Sequence, residues 1–419
     1  MERYYLCSIS VSGIKNICNP IKIDFLNSKK YELDKNKIKG IFGKNGVGKT
    51  AIIKSVEILK KIVLNPNFLS SRENILMLNK LINFESNEFN IEVEFVKESN
   101  IKKKYKHSLK LLKIDNEIKI IEEHLKVYSR NSYKEINIVN GEIKLNTIEN
   151  NEVIKNRTIN LLDKNSIINL SIKIFGEIKE KEIFLDFIMF YFNLLVFSHD
   201  SDNYIKFINT NEKFEEYRKF VLNANYKDFD DFELEIPRDE ELLSNIYETV
   251  NKKIRFLNYF VNNLKNIEIM KDEDVSSYKL NFLFVYENYK VDLKFESMGI
   301  KNLFKIYDYI ASAYSGRIVL IDEIDLSIHD IYLNKLIEFL GEMGKGQFIF
   351  TAHNTSLLDT LKKFKKSIFF INESQEVINW VKRGNSSPRT QYKDGYIKDL
   401  PFNIDYFDFV PYFEGDKIE

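Results

Sequence analysis

The spacing of apolar positions along this 419-residue chain changes several times, and each change marks a predicted element. Residues 4–16, 21–25 and 91–96 alternate or cluster as strands do, and residues 38–42 form a short apolar run suited to a buried strand. Ile52, Val56, Leu59 and Val63 then recur at helical spacing. From about Asn100 to Ile174 the chain is rich in Asn, Lys and Ile and its periodicity is weak. The most membrane-like stretch, residues 183–198, carries Asp186 and is too short to span a bilayer, so it reads as a buried helix. Beyond Pro237, the positions Leu243, Ile246, Val250, Ile254, Leu257, Val261 and Leu264 mark one face of a long helix with Asp239 as its N-cap. Ordinary packing explains that face better than a partner-binding arm does.

Residues 278–284 and 289–295 read as two strands around Glu287-Asn288, a hairpin candidate. Helix 301–313, strand 318–321, helix 327–340, strand 348–350, a helix from Thr355 and strand 368–371 follow. Strand-helix alternation of this kind implies a mostly parallel sheet covered on both faces. There is no internal repeat.

A hydrophobic content of 44% and an aromatic content of 14% supply a sizeable core, and the length allows two domains or one domain with a large insertion. Lys+Arg and Asp+Glu are both 62, which excludes a globally basic chain held on nucleic acid by charge alone, so any DNA contact has to be local. The basic runs at 102–104 and 362–366 read as solvated faces. Cys7 and Cys18 lack metal-ligand spacing and suit a reducing cytosol. The N-terminus shows no signal pattern, so a cytoplasmic chain without a membrane partner is expected.

The candidate chemistry begins where the strand at 38–42 meets the helix that follows. Gly43, Lys44, Asn45, Gly46, Val47, Gly48, Lys49 and Thr50 fit G-x-x-x-x-G-K-[ST] at a strand-to-helix junction, where free backbone amides and the helix dipole favour phosphate. Gly43, Gly46 and Gly48 let the backbone wrap phosphates, Lys49 reaches the β- and γ-phosphates of ATP, and Thr50 ligates Mg²⁺. Far downstream, the apolar strand 318–321 delivers Asp322, a Mg²⁺ ligand, and Glu323, a general base that polarises the attacking water. A second buried strand ends near His353, placed to contact the γ-phosphate. His329 suits support of the loop after Asp322-Glu323, and His107, His124 and His199 show no metal-site spacing. Ser297 and Gly299 open an amphipathic helix whose N-terminus offers amides and a hydroxyl to phosphate, although Ser-x-Gly alone is also an ordinary cap.

Taken together, these motifs resemble the RecF, SMC and OLD branch of ABC ATPases. Within that branch they resemble the stand-alone AAA-labelled ATPases of bacterial anti-phage and abortive-infection systems, of the AbiL, RloA and PARIS AriA-like types. The resemblance is strong over 1–98 and 276–372, moderate at the tail with Arg389, Tyr392, Gly395 and Pro401, and absent between. It rests on the Glu-Ser-x-Gly-x-x-x-Leu form of residues 296–303 and on the run from Asp322 through Ser327 to His329.

The resemblance implies an α/β P-loop ABC-type ATPase head with a mostly parallel sheet plus antiparallel N-terminal strands. The head would comprise residues 1–98 and 276–419, interrupted by a large, mixed, partly helical insertion at 99–275. It also implies a homodimer of heads or a higher homo-oligomer, with ATP between Lys49, Thr50, Asp322, Glu323 and His353 of one subunit and Ser297 and Gly299 of the other. A separate effector such as a TOPRIM or HNH nuclease or a toxin, and a phage protein as trigger, follow from the same resemblance. No glutamine occurs between Thr50 and Ser297, so the Gln that ABC enzymes place near Mg²⁺ is missing or replaced. A DNA repair or recombination ATPase that clamps DNA is the alternative; neutral charge and a short arm favour a regulator. A transporter motor fits poorly with the large insertion.

Overall fold

The computed structural model describes residues 3–26, 37–98, 103–129, 132–148, 152–158, 160–198, 234–326, 328–382 and 386–398. Lys102, His199, Ser327 and Pro401 lie outside the described residues.

Strands β1 (Arg3–Ser12) and β2 (Ile21–Asp24) pair antiparallel, whereas β3 (Ile38–Phe42) leaves for a different sheet. After helices Lys49–Leu64 and Arg72–Leu81, the chain returns beside β1 as β4 (Glu88–Glu98). It then continues through β5 (Lys103–Ile114), β6 (Glu117–Tyr128), β7 (Tyr133–Val139) and β8 (Glu142–Asn146). The result is a seven-stranded antiparallel sheet in the order β2-β1-β4-β5-β6-β7-β8. Burial alternates along β4, β5 and β6, as it must when one face meets the core and the other meets water. The outer face is laced by ion pairs from β5 to β4, including Lys104 with Glu94 at 2.8 Å and Lys106 with Glu92 at 2.7 Å.

Helix Lys181–Asn193 covers the inner face, and Asp186 is buried on it. Its carboxyl oxygens accept hydrogen bonds from Tyr4 Oη at 3.1 Å, Lys97 Nζ at 2.7 Å and the Tyr105 hydroxyl, which satisfies the polar group inside this apolar stretch. The predicted helix at 183–198 is cut short, because residues Leu194–Phe197 form strand β9 and pair in parallel with a strand at 318–321. A fully apolar run of this length suits a strand buried on both faces as well as a helix end, and only the sheet partner decides between them.

A second sheet follows. β10 (Leu234–Pro237), helix Glu240–Leu257, β11 (Leu264–Glu273), β12 (Ser277–Tyr286) and β13 (Lys290–Asp292) build it, with β12 central and paired to the other three strands. The expected hairpin is present between β12 and β13. Asp239 caps the helix, accepting from the amides of Glu241 at 2.9 Å and Leu242 at 3.0 Å. Leu243, Ile246, Val250 and Leu257 are buried on its inner face, while the predicted continuation to Leu264 is instead the start of β11. Residues 99–275 therefore contribute strands to all three sheets. The alternating pattern at 103–128 supplies free edges that extend β4, so the segment joins an existing sheet instead of closing on itself.

The chain then alternates: helix Met298–Ser315, β14 (Ile318–Ile321), helix Asp330–Met343, β15 (Gln347–Thr351), helix Leu357–Leu361, β16 (Ile368–Ile371) and β17 (Val377–Asn379). The six-stranded sheet runs β17-β16-β3-β15-β14-β9, parallel except for β17. Successive residues of β14 enter opposite cores: Ile318 and Leu320 face helices 49–64 and 181–193, and Val319 and Ile321 face helices 298–315 and 330–343. At the opposite end of this sheet from the candidate site, buried Gln347 exchanges hydrogen bonds with the main chain of Leu6, at 2.8 Å and 3.0 Å, and ties β15 to β1.

Candidate functional site

β3 ends at Phe42 and the phosphate loop turns into helix Lys49–Leu64. Gly48 adopts φ +108°, and a Cβ there would lie 2.9 Å from Ile17, so both backbone and space require glycine. At Gly43 the constraint is packing: a Cβ would sit 2.4 Å from the carbonyl oxygen of Ile371 on β16. The loop is held from outside as well. Asn16 donates to the Gly46 carbonyl, and Lys44 pairs with Glu373 at 2.8 Å. Val47 is buried in the core, whereas Asn45 is exposed. Lys49 is only 5% exposed, and its Nζ donates to the carbonyls of Gly43 at 2.7 Å and Lys44 at 3.0 Å. Burial lowers its pKa, while the charges of Asp322, Glu323 and Asp325 act in the opposite direction.

β15 and β14 lie side by side next to β3, so their C-terminal ends converge on this loop. Asp322 is 3% exposed and accepts from Thr351 Oγ1 at 2.5 Å. The same hydroxyl accepts the amide of Glu323 at 2.8 Å. Glu323 has φ +51°, an uncommon conformation for a residue with a side chain and one that clusters at functional sites. His353 Nε2 stands 3.6 Å from Glu323 Oε1. Behind them, Asp325 Oδ2 accepts from the amides of His353 at 2.9 Å and Asn354 at 2.6 Å. Sequence reading missed Thr351 and Asp325. A lone threonine ending an apolar strand and a third acid in Asp322-Glu323-Ile324-Asp325 were the available signals.

Ser297 and Gly299 stand apart from this network. Ser297 caps helix Met298–Ser315, its Oγ accepting from the Ile300 amide at 3.3 Å. Glu296 receives the Ser297 amide at 3.1 Å and the Tyr286 hydroxyl at 2.6 Å, which orients the turn. The cap faces solvent between Phe295 and Met298, which are 74% and 66% exposed. His329 caps helix Asp330–Met343 through Nδ1, which accepts from the Ile331 amide at 3.4 Å, in keeping with a supporting role. His107 is buried between the Tyr191 hydroxyl at 2.6 Å and Glu123 at 3.1 Å, and His124 bonds Glu135 at 2.7 Å, so both are packed into the antiparallel sheet.

The residues fit a Mg²⁺-nucleotide. Positive-φ glycines at 46 and 48, a cationic Lys49 and a buried Asp322 supply the phosphate cradle, the counter-charge and a hard oxygen donor. Asp325 Oδ1 is buried without a hydrogen-bond partner among the described residues, leaving an acceptor for ordered water. Nucleotide-bound Mg²⁺ takes only one or two protein ligands, so the site needs no all-protein cage.

Residues 187–359 match the family model described as "AAA domain, putative AbiEii toxin, Type IV TA system". The chain carries an AAA-type, ATP-binding ATPase domain. The matched span takes in β9, the Ser297 helix, β14 and β15, and begins downstream of the phosphate loop. Protein get1 of Schizosaccharomyces japonicus (strain yFS275 / FY16936) is 27% identical over 124 residues, 27% of this chain and 73% of that protein. Among solved structures, the recombination mediator protein RecF-ATP in the RecFOR pathway is 14% identical with a TM-score of 0.40, covering 91% of this chain and 100% of that one. RecF-ATPrS is 14% identical with a TM-score of 0.37, over 90% and 99%. Among the described residues, no helix is long and apolar enough to cross a membrane.

Proposed function

We propose that this chain is an ATP-binding and ATP-hydrolysing sensor or regulator of a bacterial anti-phage, abortive-infection system, controlling a separate effector such as a nuclease or toxin. The observation that carries the hydrolytic part is the convergence of Lys49, Asp322, Glu323 and His353 at the ends of adjacent parallel strands. Thr50 and Asp322 would hold Mg²⁺, which when bound would supply positive charge to the phosphates. Lys49 exchanges its two loop carbonyls for phosphate oxygens. Glu323 accepts a proton from the attacking water as the new P–O bond forms and the bond to the ADP oxygen breaks. His353 donates to a γ-phosphate oxygen and aligns that water. Ser297 and Gly299 serve the nucleotide of a second subunit in an ATP-dependent homodimer, a role supported by their solvent-facing helix end.

The regulatory part is supported by the toxin-antitoxin wording of the matched family, by zero formal net charge and by the ion-paired outer sheet face. Lysines of the basic run at 362–366 are likewise paired, Lys362 with Asp359 at 3.3 Å and Lys363 with Glu338. Steady-state ATP turnover, measured with and without duplex DNA at one moderate salt concentration and with Glu323→Gln as the blank, tests the reading. Slow turnover indifferent to DNA is expected. Strong stimulation by DNA would overturn the regulator in favour of a DNA-clamping ATPase.

A further inference from the structure

A third carboxylate stands behind the hydrolytic pair. Asp325 lies in the 3₁₀ turn Ile324–Leu326, immediately after the strand that delivers Asp322 and Glu323. One of its oxygens receives two successive amides, His353 N at 2.9 Å and Asn354 N at 2.6 Å. A carboxylate that accepts adjacent N–H groups makes short, charge-assisted bonds and fixes the local backbone path. The path fixed here begins with the residue whose ring stands 3.6 Å from Glu323. Glu323 is itself tied to β15 by its amide on Thr351 Oγ1 at 2.8 Å. The turn after β14 and the loop after β15 are thus joined twice, once through each member of the Glu323–His353 pair.

We propose that Asp325 is a positioning residue that sets His353 relative to Glu323, and so governs the chemical step without contributing to nucleotide affinity. The inference rests on the ATPase reading above. Loss of the two amide bonds frees the His353 loop, and a misplacement of about 1 Å at such a site costs on the order of 100-fold in rate.

The test is a cycle of four proteins: wild type, Asp325→Ala, His353→Ala and the double variant, each assayed for ATP affinity and kcat. Asp325→Ala is expected to lower kcat about 10- to 100-fold with nucleotide Kd changed less than about threefold. In the His353→Ala background the same change is expected to cost less than about threefold, because its route of action is already gone. Asp325→Asn keeps an oxygen that accepts both amides and is expected to retain kcat within about threefold of wild type. Equal losses in the Asn and Ala variants would assign the effect to the charge near Lys49 and overturn the proposal. Independent, multiplicative losses in the cycle, or Kd rising in step with the fall in kcat, would overturn it too. If the Ala variant does not fold, Asp325→Ser takes its place in the cycle, since its side chain is too short to reach both amides. A wild type that hydrolyses no ATP refutes the ATPase reading itself, whereas an active wild type matched by Asp325→Ala refutes only the role of Asp325.

Discussion

The two ends of this molecule proposed to face phosphate are built in opposite ways. At the C-terminal ends of β3, β14 and β15, the functional groups satisfy one another: Lys49 on loop carbonyls, Asp322 and Glu323 on Thr351, and the His353 loop on Asp325. At the start of helix Met298–Ser315, the cap is satisfied locally and its surroundings are left in solvent, with Phe295 and Met298 largely exposed and a Cβ at Gly299 meeting Ser297 Oγ at 4.0 Å. The first end is preorganised by long-range partners, as a site that binds nucleotide within one subunit requires. The second offers amides, a hydroxyl and apolar surface to something outside the subunit. On the proposed dimer reading, the difference teaches that a motif's residues can be complete as local structure and still be half of a site.

The sharpest way to break the comparison is at the closed end. Glu323→Gln is expected to lower kcat about 10²- to 10⁴-fold while ATP binding persists, and Lys49→Ala to weaken binding and turnover together; normal turnover in the Gln variant would remove Glu323 as the base. At the open end, Ser297→Arg is expected to abolish ATP-dependent dimerisation in sedimentation and to reduce turnover roughly 5- to 150-fold, the range of a typical inter-site coupling. Single-site ATP binding and the melting temperature should hold, and their joint loss would make Ser297 purely structural.

The smallest effect concerns the scaffold beneath the closed end. Lys39 is fully buried in β3, its Nζ donating to the Lys366 carbonyl at 2.6 Å, and burial together with the Lys366 charge lowers its pKa from 10.5 to about 7. In the unfolded chain Lys39 keeps its ordinary value, so between pH 7 and 10.5 the unfolded state binds more protons and stability rises with pH. Below pH 7 both states are protonated and the burial cost is fully felt. Lys39→Met is expected to stabilise by about 1–3 kcal/mol at pH 6.5, with the gain shrinking by pH 9.5. Urea titrations at the two pH values check this, and ATP turnover should be unchanged.

Much of the site was legible because its motifs are written in consecutive residues. A strand, a glycine turn and a helix N-terminus lie within residues 38–64, and Asp322-Glu323 directly follow an apolar strand. The Asp239 cap was readable for the same reason, since it acts on amides two and three residues away. Asp325 and Thr351 were not readable as partners of this site. Their value comes from bonds to residues 28 or 29 positions away, and nothing in the local pattern marks which acid meets which amide. The weak periodicity after Asn100 hid β5 and β6 for a different reason: their inward positions include polar His107 and Glu123, and a register shift at Lys110/Leu111 breaks the period of two.

By itself, then, the sequence determined the phosphate loop, the carboxylate-bearing strand, the start of the Ser297 helix and an α/β alternation, because each depends on spacings of a few residues. Only the tertiary structure decided that β9 would join the parallel sheet beside β14, that residues 103–146 would extend the N-terminal sheet, and that Asp325 would hold the His353 loop. Those outcomes depend on pairings between distant segments, such as Leu194 with Ile318, and on which buried polar groups must find partners once the layers close.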